Sequence, residues 1–200
     1  MEIRGMKMTD NMHRKILIIG AGGIGSHLIP FLSKIGLYDI TVYDDDKVEE
    51  KNLTYQNFND EDIGDVKVNC FGFMVTPQPY QVLVEGQLSG YDLVVCCADN
   101  LAVRRLLYRQ GYGDSAKIKW LDLRAQGRNA ALISYKVDEN LVDSFLAGPD
   151  GSFSCQGEDW DGSPTDINTM HICIAGAASQ WIQRWFQDND NVTDKVVWNI

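Results

Sequence analysis

Several features that define other classes of protein are missing from this sequence of 200 residues. No apolar run is long enough to cross a bilayer, and the opening stretch, MEIRGMKMTDNMHRK, lacks the apolar core of a signal peptide. We therefore expect a cytoplasmic protein that does not enter a membrane. Internal repeats and low-complexity segments are also missing, so the pattern does not predict a repeat architecture.

The cysteines are not arranged for disulfides or for zinc. There are 5 of them, an odd number, and no CxxC pair is present. We expect reduced thiols and no structural metal. Packing in a buried strand explains Cys96 and Cys97, and packing in an apolar helix explains Cys173. Cys155 lies in the irregular, acidic stretch SFSCQGED, which predicts an exposed thiol with a raised pKa and slow reactivity.

Positive charge is scarce. Acidic residues number 28 against 18 basic ones, which gives a formal net charge of −10. A surface of that sign repels the phosphate backbone, so we expect no nucleic acid partner. A basic protein partner or a metal ion is favoured instead, although solubility alone explains most of the acids.

The stretch KILIIGAGGIG organises the rest of the chain. A short apolar run predicts a buried strand, and Gly20, Gly22 and Gly25 follow it with GxGxxG spacing. The first glycine permits a tight turn, the second lets the backbone approach a phosphate, and the third lets a helix pack on the strand. A second apolar run ends at Asp44, where a carboxylate can accept hydrogen bonds from ribose hydroxyls. The combination predicts a nucleotide site.

Periodicity along the chain predicts an α/β fold with a Rossmann-like, mostly parallel sheet, helices on both faces and an antiparallel C-terminal extension. Arg104, Arg105 and Arg109 are expected on a solvated helix face, and Trp181 and Trp185 on a face toward a second subunit. The predicted elements are strand 15–19, helix 22–34, strand 40–43, a helix from near 63, strands 80–85 and 91–97, helix 101–110, strand 117–123, an antiparallel strand within 128–136, an irregular crossover over 138–166, helix 167–187 and strand 196–200.

Four segments together resemble the ThiF/MoeB/E1 superfamily of activating enzymes. They are GAGGIGS at 20–26, DDDKVEEKNLTYQNF at 44–58, IGDVK at 63–67 and CCADNLAVRRLL at 96–107. The segment IAGAASQWIQRW at 174–185 is similar to a late, small-residue helix of that family. The resemblance implies one ThiF/E1-like domain over residues 1–200 that uses ATP and Mg²⁺ to adenylate the C-terminal carboxylate of a ubiquitin-like or sulfur-carrier protein. It also implies a homodimer.

The resemblance further implies which residues hold ATP and the metal. No general base is needed, because the attacking carboxylate is already ionised. The implied residues are Gly20, Gly22, Gly23 and Gly25 of the turn, Asp44 for the ribose, Asp46 for support of the same loop, Asn52 and Gln56 for the phosphates, Lys67 as the phosphate-binding lysine, Asp99 for Mg²⁺ and Asn100 for the turn that carries it.

Two departures from the family pattern concern positive charge. The family reads NLxRQ where this chain reads NLTYQ, so Tyr55 replaces an arginine and provides neither charge nor a bidentate fork. The N-terminal helix that lends an arginine to the neighbouring subunit is absent or reduced to the first fourteen residues, in which Arg4 and Arg14 are poorly spaced. Arg124, in LDLRAQGR, is the better candidate to restore the charge. Some relatives carry an acyl- or persulfide-accepting cysteine near the position of Cys155.

Three functions remain open from the sequence. The first is a compact adenylating enzyme of the ThiF/E1 type. The second is a catalytically weak, ATP-binding scaffold subunit of an E1-like complex, which Tyr55 and the short N-terminus favour. The third is an NAD-dependent oxidoreductase, which explains the glycines and Asp44 but leaves Asn52, Gln56, Lys67 and Asp99 without a role.

Overall fold

The computed structural model describes residues 13–141, 144, 146, 155–157, 160, 163, 166–188 and 191–200. The strands within these residues are β1 (Arg14–Ile19), β2 (Tyr38–Tyr43), β3 (Thr76–Gln78), β4 (Leu93–Cys96), β5 (Trp120–Gln126), β6 (Asn129–Ser134) and β7 (Lys195–Asn199). The α-helices that we label are α1 (Gly25–Ile35), α2 (Leu101–Tyr108) and α3 (Met170–Asp188).

The strands form one sheet in the order β3-β2-β1-β4-β5-β6-β7. Strands β1 to β5 pair in parallel, whereas β6 pairs antiparallel with both β5 and β7. The register places Leu17 beside Thr41 on one side and beside Val94 on the other. The predicted fold class, with its antiparallel C-terminal extension, is therefore confirmed. The assignment of residues 1–200 to a single domain stays a prediction.

Apolar side chains explain why the central strands form. Ile16, Leu17 and Ile18 of β1 and Leu93 and Val94 of β4 are fully buried. A central parallel strand is covered on both faces, so its residues are apolar without alternation. Both strands follow this pattern, and both predictions are confirmed.

The two crossovers that start at β1 and β4 move in opposite directions across the sheet. Because parallel crossovers are right-handed, they place α1 and α2 on opposite faces. Helix α3 packs against α1, β5 and β6, so it shares the face of α1. The point where the two crossovers diverge, at the carboxyl ends of β1 and β4, is where open parallel sheets bind ligands.

Helix α1 begins at Gly25, three residues later than the sequence predicts, and ends as predicted at Gly36. Gly36 has a φ of +70°, in the left-handed region that closes helices. Pro30 lies inside the helix, as the sequence indicates.

The predicted third strand is wrong in position. Strand β3 comes earlier in the chain and contains Pro77, which lacks an N–H donor and therefore suits a sheet edge. In the predicted stretch, the N–H groups of Leu83 and Val84 donate to Oε1 of Gln87 at 2.8 and 3.1 Å. A side chain thus satisfies the donors that a strand would use.

The helix predicted from near residue 63 is also wrong. Lys47 and Val66 pair there as an isolated antiparallel bridge, and Gly64 beside it has a φ of +92°. This left-handed turn prevents a helix from starting at the predicted point. A 3₁₀ helix, Lys67–Met74, follows the bridge.

The tryptophans of α3 do not face outward. Trp181 is buried and stacks on Trp185 with ring centroids 6.2 Å apart. The indole N–H of Trp181 donates to the carbonyl of Thr193 at 2.9 Å, and that of Trp185 donates to the hydroxyl of Tyr135 at 3.2 Å. These contacts hold the residues just after β6 and just before β7 to α3. The burial of Trp181 corrects its predicted position toward a second subunit. The role of the partly buried Trp185 and the homodimer stay predictions.

Cysteine packing agrees with prediction in β4 but not in α3. Cys96 and Cys97 are buried, whereas Cys173 is exposed. The buried stripe of α3 passes through Ile174 and Ala178, and Cys173 falls outside it. No helix among the described residues combines the length and apolarity that a membrane span requires. Residues 1–12, with Arg4, and most of the predicted crossover lie outside the described residues.

Candidate functional site

Two glycines of the turn after β1 are required by the packing of the protein itself. Gly20 has a φ of +97°, and a Cβ there would lie 2.8 Å from the amide nitrogen of Ala98. A Cβ on Gly25 would overlap the carbonyl oxygen of Gly20. These positions hold the turn against the end of β4 and let α1 start close to β1, as the motif predicts.

Gly22 differs, because the folded chain does not require it to be a glycine. The nearest atom to a Cβ built there is Nε2 of Gln56, at 3.9 Å, which is an ordinary contact. Among the described residues, the α-carbon of Gly22 therefore faces open space beside an amide. A backbone surface of this kind at the start of a helix is suited to a phosphate.

Gly23 is covered by the crossover. A Cβ there would lie 2.8 Å from Sγ of Cys155 and 3.7 Å from the ring of Tyr55. Cys155 is thus partly buried against the turn, and the predicted exposed thiol is corrected. Burial, with a smaller contribution from Asp99, raises the pKa of Cys155 to about 11. A thiol with this pKa is a poor nucleophile at neutral pH.

Asp44 ties the glycine turn to the loop after β2. Its Oδ2 accepts the N–H of Ala21 at 2.6 Å, and its Oδ1 accepts the N–H of Asp46 at 2.8 Å. Burial raises the pKa of the Asp44 carboxyl, against the opposing effects of the Ala21 N–H and the charge of Lys67. Each carboxylate oxygen keeps a further lone pair, so ribose hydroxyls can still donate to it.

Lys67 carries a positive charge to the same edge of the sheet. Its side chain is 7% exposed, and Nζ lies 3.0 Å from Oδ2 of Asp46, which is 71% exposed. The N–H of Lys67 donates to the carbonyl of Asp46 at 2.9 Å. The backbone contact fixes the lysine, while its counter-charge faces solvent.

Asn52 and Gln56 are buried side by side on one turn of chain. Asn52 caps the 3₁₀ helix Glu50–Thr54, because its Oδ1 accepts the N–H of Glu49 at 2.9 Å. The N–H of Gln56 donates to the Asn52 carbonyl at 2.8 Å. The side-chain Oε1 of Gln56 is buried and has no hydrogen-bond partner among the described residues. An unbonded buried oxygen costs about 1–3 kcal/mol, which a bound donor would remove.

Tyr55 packs its ring instead of reaching outward. The ring meets those of Trp160 and His171 edge-on, with centroids 5.4 and 5.9 Å away. The carbonyl oxygen of Tyr55 is 2.7 Å from Nε2 of His171 and 3.2 Å from Nε2 of His27. Tyr55 therefore brings no charge to the site, as the sequence predicts, and its backbone is held from two helices.

Asp99 and Asn100 follow β4 as predicted. Asp99 is exposed beyond the carboxyl end of the strand. The Oδ1 of Asn100 accepts the N–H of Val103 at 3.0 Å and caps α2. The predicted role of Asn100 in fixing this turn agrees with that contact.

Arg124 lies on β5 but has a partner of its own. Its Nη2 lies 2.8 Å from Oδ2 of Asp122 and 3.1 Å from the hydroxyl of Tyr108. On the other side of the same carboxylate, Nε of Arg104 donates to Oδ1 at 2.9 Å. Arg104 is buried, which corrects its predicted position on a solvated face. The suggestion that Arg124 restores charge at a triphosphate stays a prediction.

Sequence reasoning did not find the buried network of Asp122 and Tyr108 or the contact of His171 with Tyr55. A signal existed for Asp122, because LDLR puts two charges of opposite sign on one face of an otherwise apolar strand. None existed for His171, which reaches Tyr55 across 116 positions of sequence.

The fold and the site define a class of protein. A parallel sheet places a glycine turn, a buried lysine and a buried amide at its switch point, an arrangement typical of nucleotide-binding folds. More specifically, the chain belongs to the ThiF family, whose sequence profile matches residues 3–195.

Curated relatives resemble about half of the chain. The adenylyltransferase and sulfurtransferase UBA4 of Yarrowia lipolytica is 34% identical over 110 residues, which cover 49% of this chain and 28% of the relative. The SAMP-activating enzyme E1 of Haloferax volcanii is 31% identical over 106 residues, covering 46% of this chain and 39% of the relative. The matched region therefore spans 28% of the UBA4 relative and 39% of the SAMP-activating relative.

Solved structures resemble the chain over nearly its whole length. The structure of E. coli MccB with ATP has a TM-score of 0.67 at 17% identity and covers 93% of this chain and 60% of MccB. PaaA has a TM-score of 0.67 at 16% identity, with 94% of this chain and 61% of PaaA covered. At these identities the likeness establishes the fold.

Proposed function

We propose that this protein binds ATP and uses it to adenylate the C-terminal carboxylate of a ubiquitin-like or sulfur-carrier protein. Membership of the ThiF family and the names of the relatives support this reaction. The observation that carries the proposal is the open face of Gly22 among the described residues, with the donor Nε2 of the buried Gln56 amide 3.9 Å from the position of a Cβ there. Protein packing explains Gly20 and Gly25, whereas a phosphate against the backbone explains Gly22.

Different described residues bind different parts of the nucleotide in this proposal. Asp44 accepts hydrogen bonds from the ribose, Gln56 donates from Nε2 toward the phosphates, and Lys67 exchanges the exposed Asp46 carboxylate for phosphate oxygens. The carboxylate oxygen of the carrier protein then attacks the α-phosphorus, and the bond to the bridging oxygen breaks as pyrophosphate leaves. The attacking group is already an anion, so no base has to remove a proton.

Asp99 is the residue that we assign to Mg²⁺. It offers a carboxylate, the donor that Mg²⁺ prefers, at the end of β4 beside the glycine turn. When bound, Mg²⁺ supplies positive charge that offsets the charge of the leaving pyrophosphate. Asn100 keeps the turn in place by capping α2.

A second candidate is an ATP-binding scaffold with weak catalysis. The observation that favours it is electrostatic: Tyr55 is neutral and packed on aromatic rings, and Arg124 is ion-paired to the buried Asp122. Among the residues assigned to the nucleotide above, Lys67 is then the one cation. Binding can survive this loss of cations more readily than acceleration of phosphoryl transfer can.

The first experiment tests the nucleotide site. ATP affinity is measured by titration calorimetry for the wild type, Gly22→Ala and the control Gly86→Ala, which also adds a Cβ to open space. Both variants should unfold at nearly the wild-type temperature. Gly22→Ala should lose at least about tenfold in ATP affinity, because its methyl group occupies the phosphate face. Equal affinities for all three proteins would contradict a nucleotide on this turn.

The second experiment separates the candidates by ATP–pyrophosphate exchange with carrier proteins that end in Gly-Gly. Asp99→Asn is compared with Asp39→Asn. Asp39 is an exposed acid at the amino ends of the strands, whereas Asp99 lies at their carboxyl ends. Exchange that Asp99→Asn abolishes and Asp39→Asn preserves supports the enzyme. Tight ATP binding without exchange supports the scaffold. Binding of NAD in place of ATP would support the oxidoreductase and contradict both.

A further inference from the structure

Two imidazoles converge on one backbone carbonyl beside the glycine turn. The Nε2 atoms of His171 and His27 lie 2.7 and 3.2 Å from the oxygen of Tyr55, and the two rings are 5.4 Å apart. A carbonyl only accepts hydrogen bonds, so both rings must carry a proton on Nε2. Burial lowers the pKa of both rings, and lowers that of His171 to about 4. Two neutral rings of the same tautomer therefore hold this oxygen.

The crossover holds His171 from its other side. Nδ1 of His171 lies 3.5 Å from Nε2 of Gln156 and can accept its N–H. Gln156 is fixed in turn, because its Oε1 accepts the N–H of Asn168 at 2.8 Å and its Nε2 donates to the Asn168 carbonyl at 2.9 Å. His171 itself is fully buried. Its orientation is thus set before any ligand arrives.

The carbonyl that His171 holds belongs to the peptide that leads into Gln56. One residue after Gln56, the N–H of Asn57 donates to Oγ of Ser26 in α1 at 3.0 Å. The chain from 55 to 57 is therefore fixed between α1 and α3. Nε2 of Gln56 points from this segment to the open face of Gly22.

We propose that His171 is a positioning residue, which holds the Tyr55 carbonyl so that the Gln56 amide stays directed at the phosphate face of Gly22. This inference rests on the ATP-binding function proposed above. The side chain at position 55 is neutral, so this position contributes to binding through its backbone. His27 provides a second, longer bond to the same oxygen.

The experiment compares His171→Phe, which keeps a ring without the donor, with His171→Gln, which keeps an N–H at a similar reach. Amide hydrogen exchange of Gln56 and Asn57 is measured in the ligand-free protein. His171→Phe should speed this exchange about tenfold, because one hydrogen bond to a buried carbonyl is lost. His171→Gln should restore the wild-type rate.

The same variants are then assayed for ATP binding and for the kinetics of ATP–pyrophosphate exchange. His171→Phe should raise the Kd and the KM for ATP about tenfold and leave kcat within about twofold, since only the alignment of a ground-state contact changes. His171→Gln should recover most of the affinity. His27→Phe should act in the same direction but more weakly, and it serves as the test if His171→Phe fails to fold.

Each contrary result overturns a different part. Unchanged amide exchange in His171→Phe would show that His171 does not hold the Tyr55 carbonyl, whether or not the protein binds ATP. Faster exchange with unchanged ATP affinity overturns the positioning role and leaves the proposed function standing. A wild type that does not bind ATP overturns both the proposed function and the positioning role of His171. Faster amide exchange in His171→Phe would then still show that His171 holds the Tyr55 carbonyl.

Discussion

Two buried cationic centres lie on opposite sides of the point where the crossovers diverge, and they differ in their partners. Lys67 is 7% exposed, and its partner Asp46 is 71% exposed. Arg104 is 9% exposed, and its partner Asp122 is fully buried. A ligand can replace a counter-charge that faces solvent, but it cannot reach one enclosed by the core. The Asp46 partner of Lys67 is therefore accessible to a ligand from solvent, whereas the Asp122 partner of Arg104 is not.

The buried centre forms a compact network around one carboxylate. Burial raises the pKa of the Asp122 carboxyl, but the charges of Arg104 and Arg124 outweigh this effect and hold the pKa below its ordinary value. The hydroxyl of Tyr108 donates to the same carboxylate at 2.7 Å. Removing the shared acid would leave two guanidinium groups near each other without their counter-charge.

The largest expected effect comes from removing that acid. Asp122→Asn should lower the free energy of unfolding by about 3–5 kcal/mol, because it leaves buried cations uncompensated. Urea denaturation measures the change. The matched variant Asp46→Asn should cost no more than about 1 kcal/mol, because its amide oxygen still accepts from Lys67 and the nearby Asp44 carboxylate still offsets the charge of the lysine. Similar losses for both variants would show that the two centres do not differ as the structure indicates.

The second prediction compares the cations by ligand binding. Lys67→Met should weaken ATP binding by about 2–3 kcal/mol, the size of a charge-assisted hydrogen bond, with little change in stability. Arg124→Met should change ATP affinity by less than about threefold, because its guanidinium is already bound to the Asp122 carboxylate and the Tyr108 hydroxyl. Titration calorimetry measures both. A large loss of affinity in Arg124→Met would instead support a role for this arginine at the triphosphate.

The same contrast shows which features a sequence can predict. Strands β1 and β4 were predictable because consecutive apolar residues need both faces covered. The position of Asp44 after β2 was predictable because strand ends meet at one edge of a parallel sheet. Such features depend on local pattern and on topology alone.

Features that depend on a distant partner could not be predicted. Helical periodicity placed Arg104 on a solvated face, because the pattern contains no information about Asp122, 18 residues further along. The contact between Cys155 and Gly23 depends on the path of the crossover, which its composition does not fix. The two histidines bind a backbone oxygen. Because every residue has one, the sequence does not indicate which oxygen they bind.

The third prediction tests His171, a buried ring whose pKa is lowered mainly by burial. The pKa of His171 is about 4 in the folded protein, below its ordinary 6.5, so the unfolded chain takes up the proton first. The stabilisation is therefore complete above pH 6.5 and is lost as the pH falls toward 4. From pH 7 to pH 5 this histidine should cost about 2 kcal/mol of unfolding free energy.

The measurement for His171 is urea denaturation at several pH values for the wild type and His171→Gln. His27, whose pKa burial also lowers, contributes in the same direction in both proteins. The difference between the two proteins thus isolates His171. Parallel stability curves between pH 7 and pH 5 would contradict a neutral, buried ring.

The smallest expected effect concerns the crossover over the glycine turn. Gly23→Ala places a methyl group 2.8 Å from Sγ of Cys155, so the variant should lose about 1–2 kcal/mol of stability. Cys155→Ala removes the obstructing sulfur, and the double variant should recover about 1 kcal/mol of that loss. Recovery would place Cys155 on the turn in solution. Strict additivity of the two substitutions would mean that the crossover does not rest on Gly23, and the turn would then be as open there as it is at Gly22.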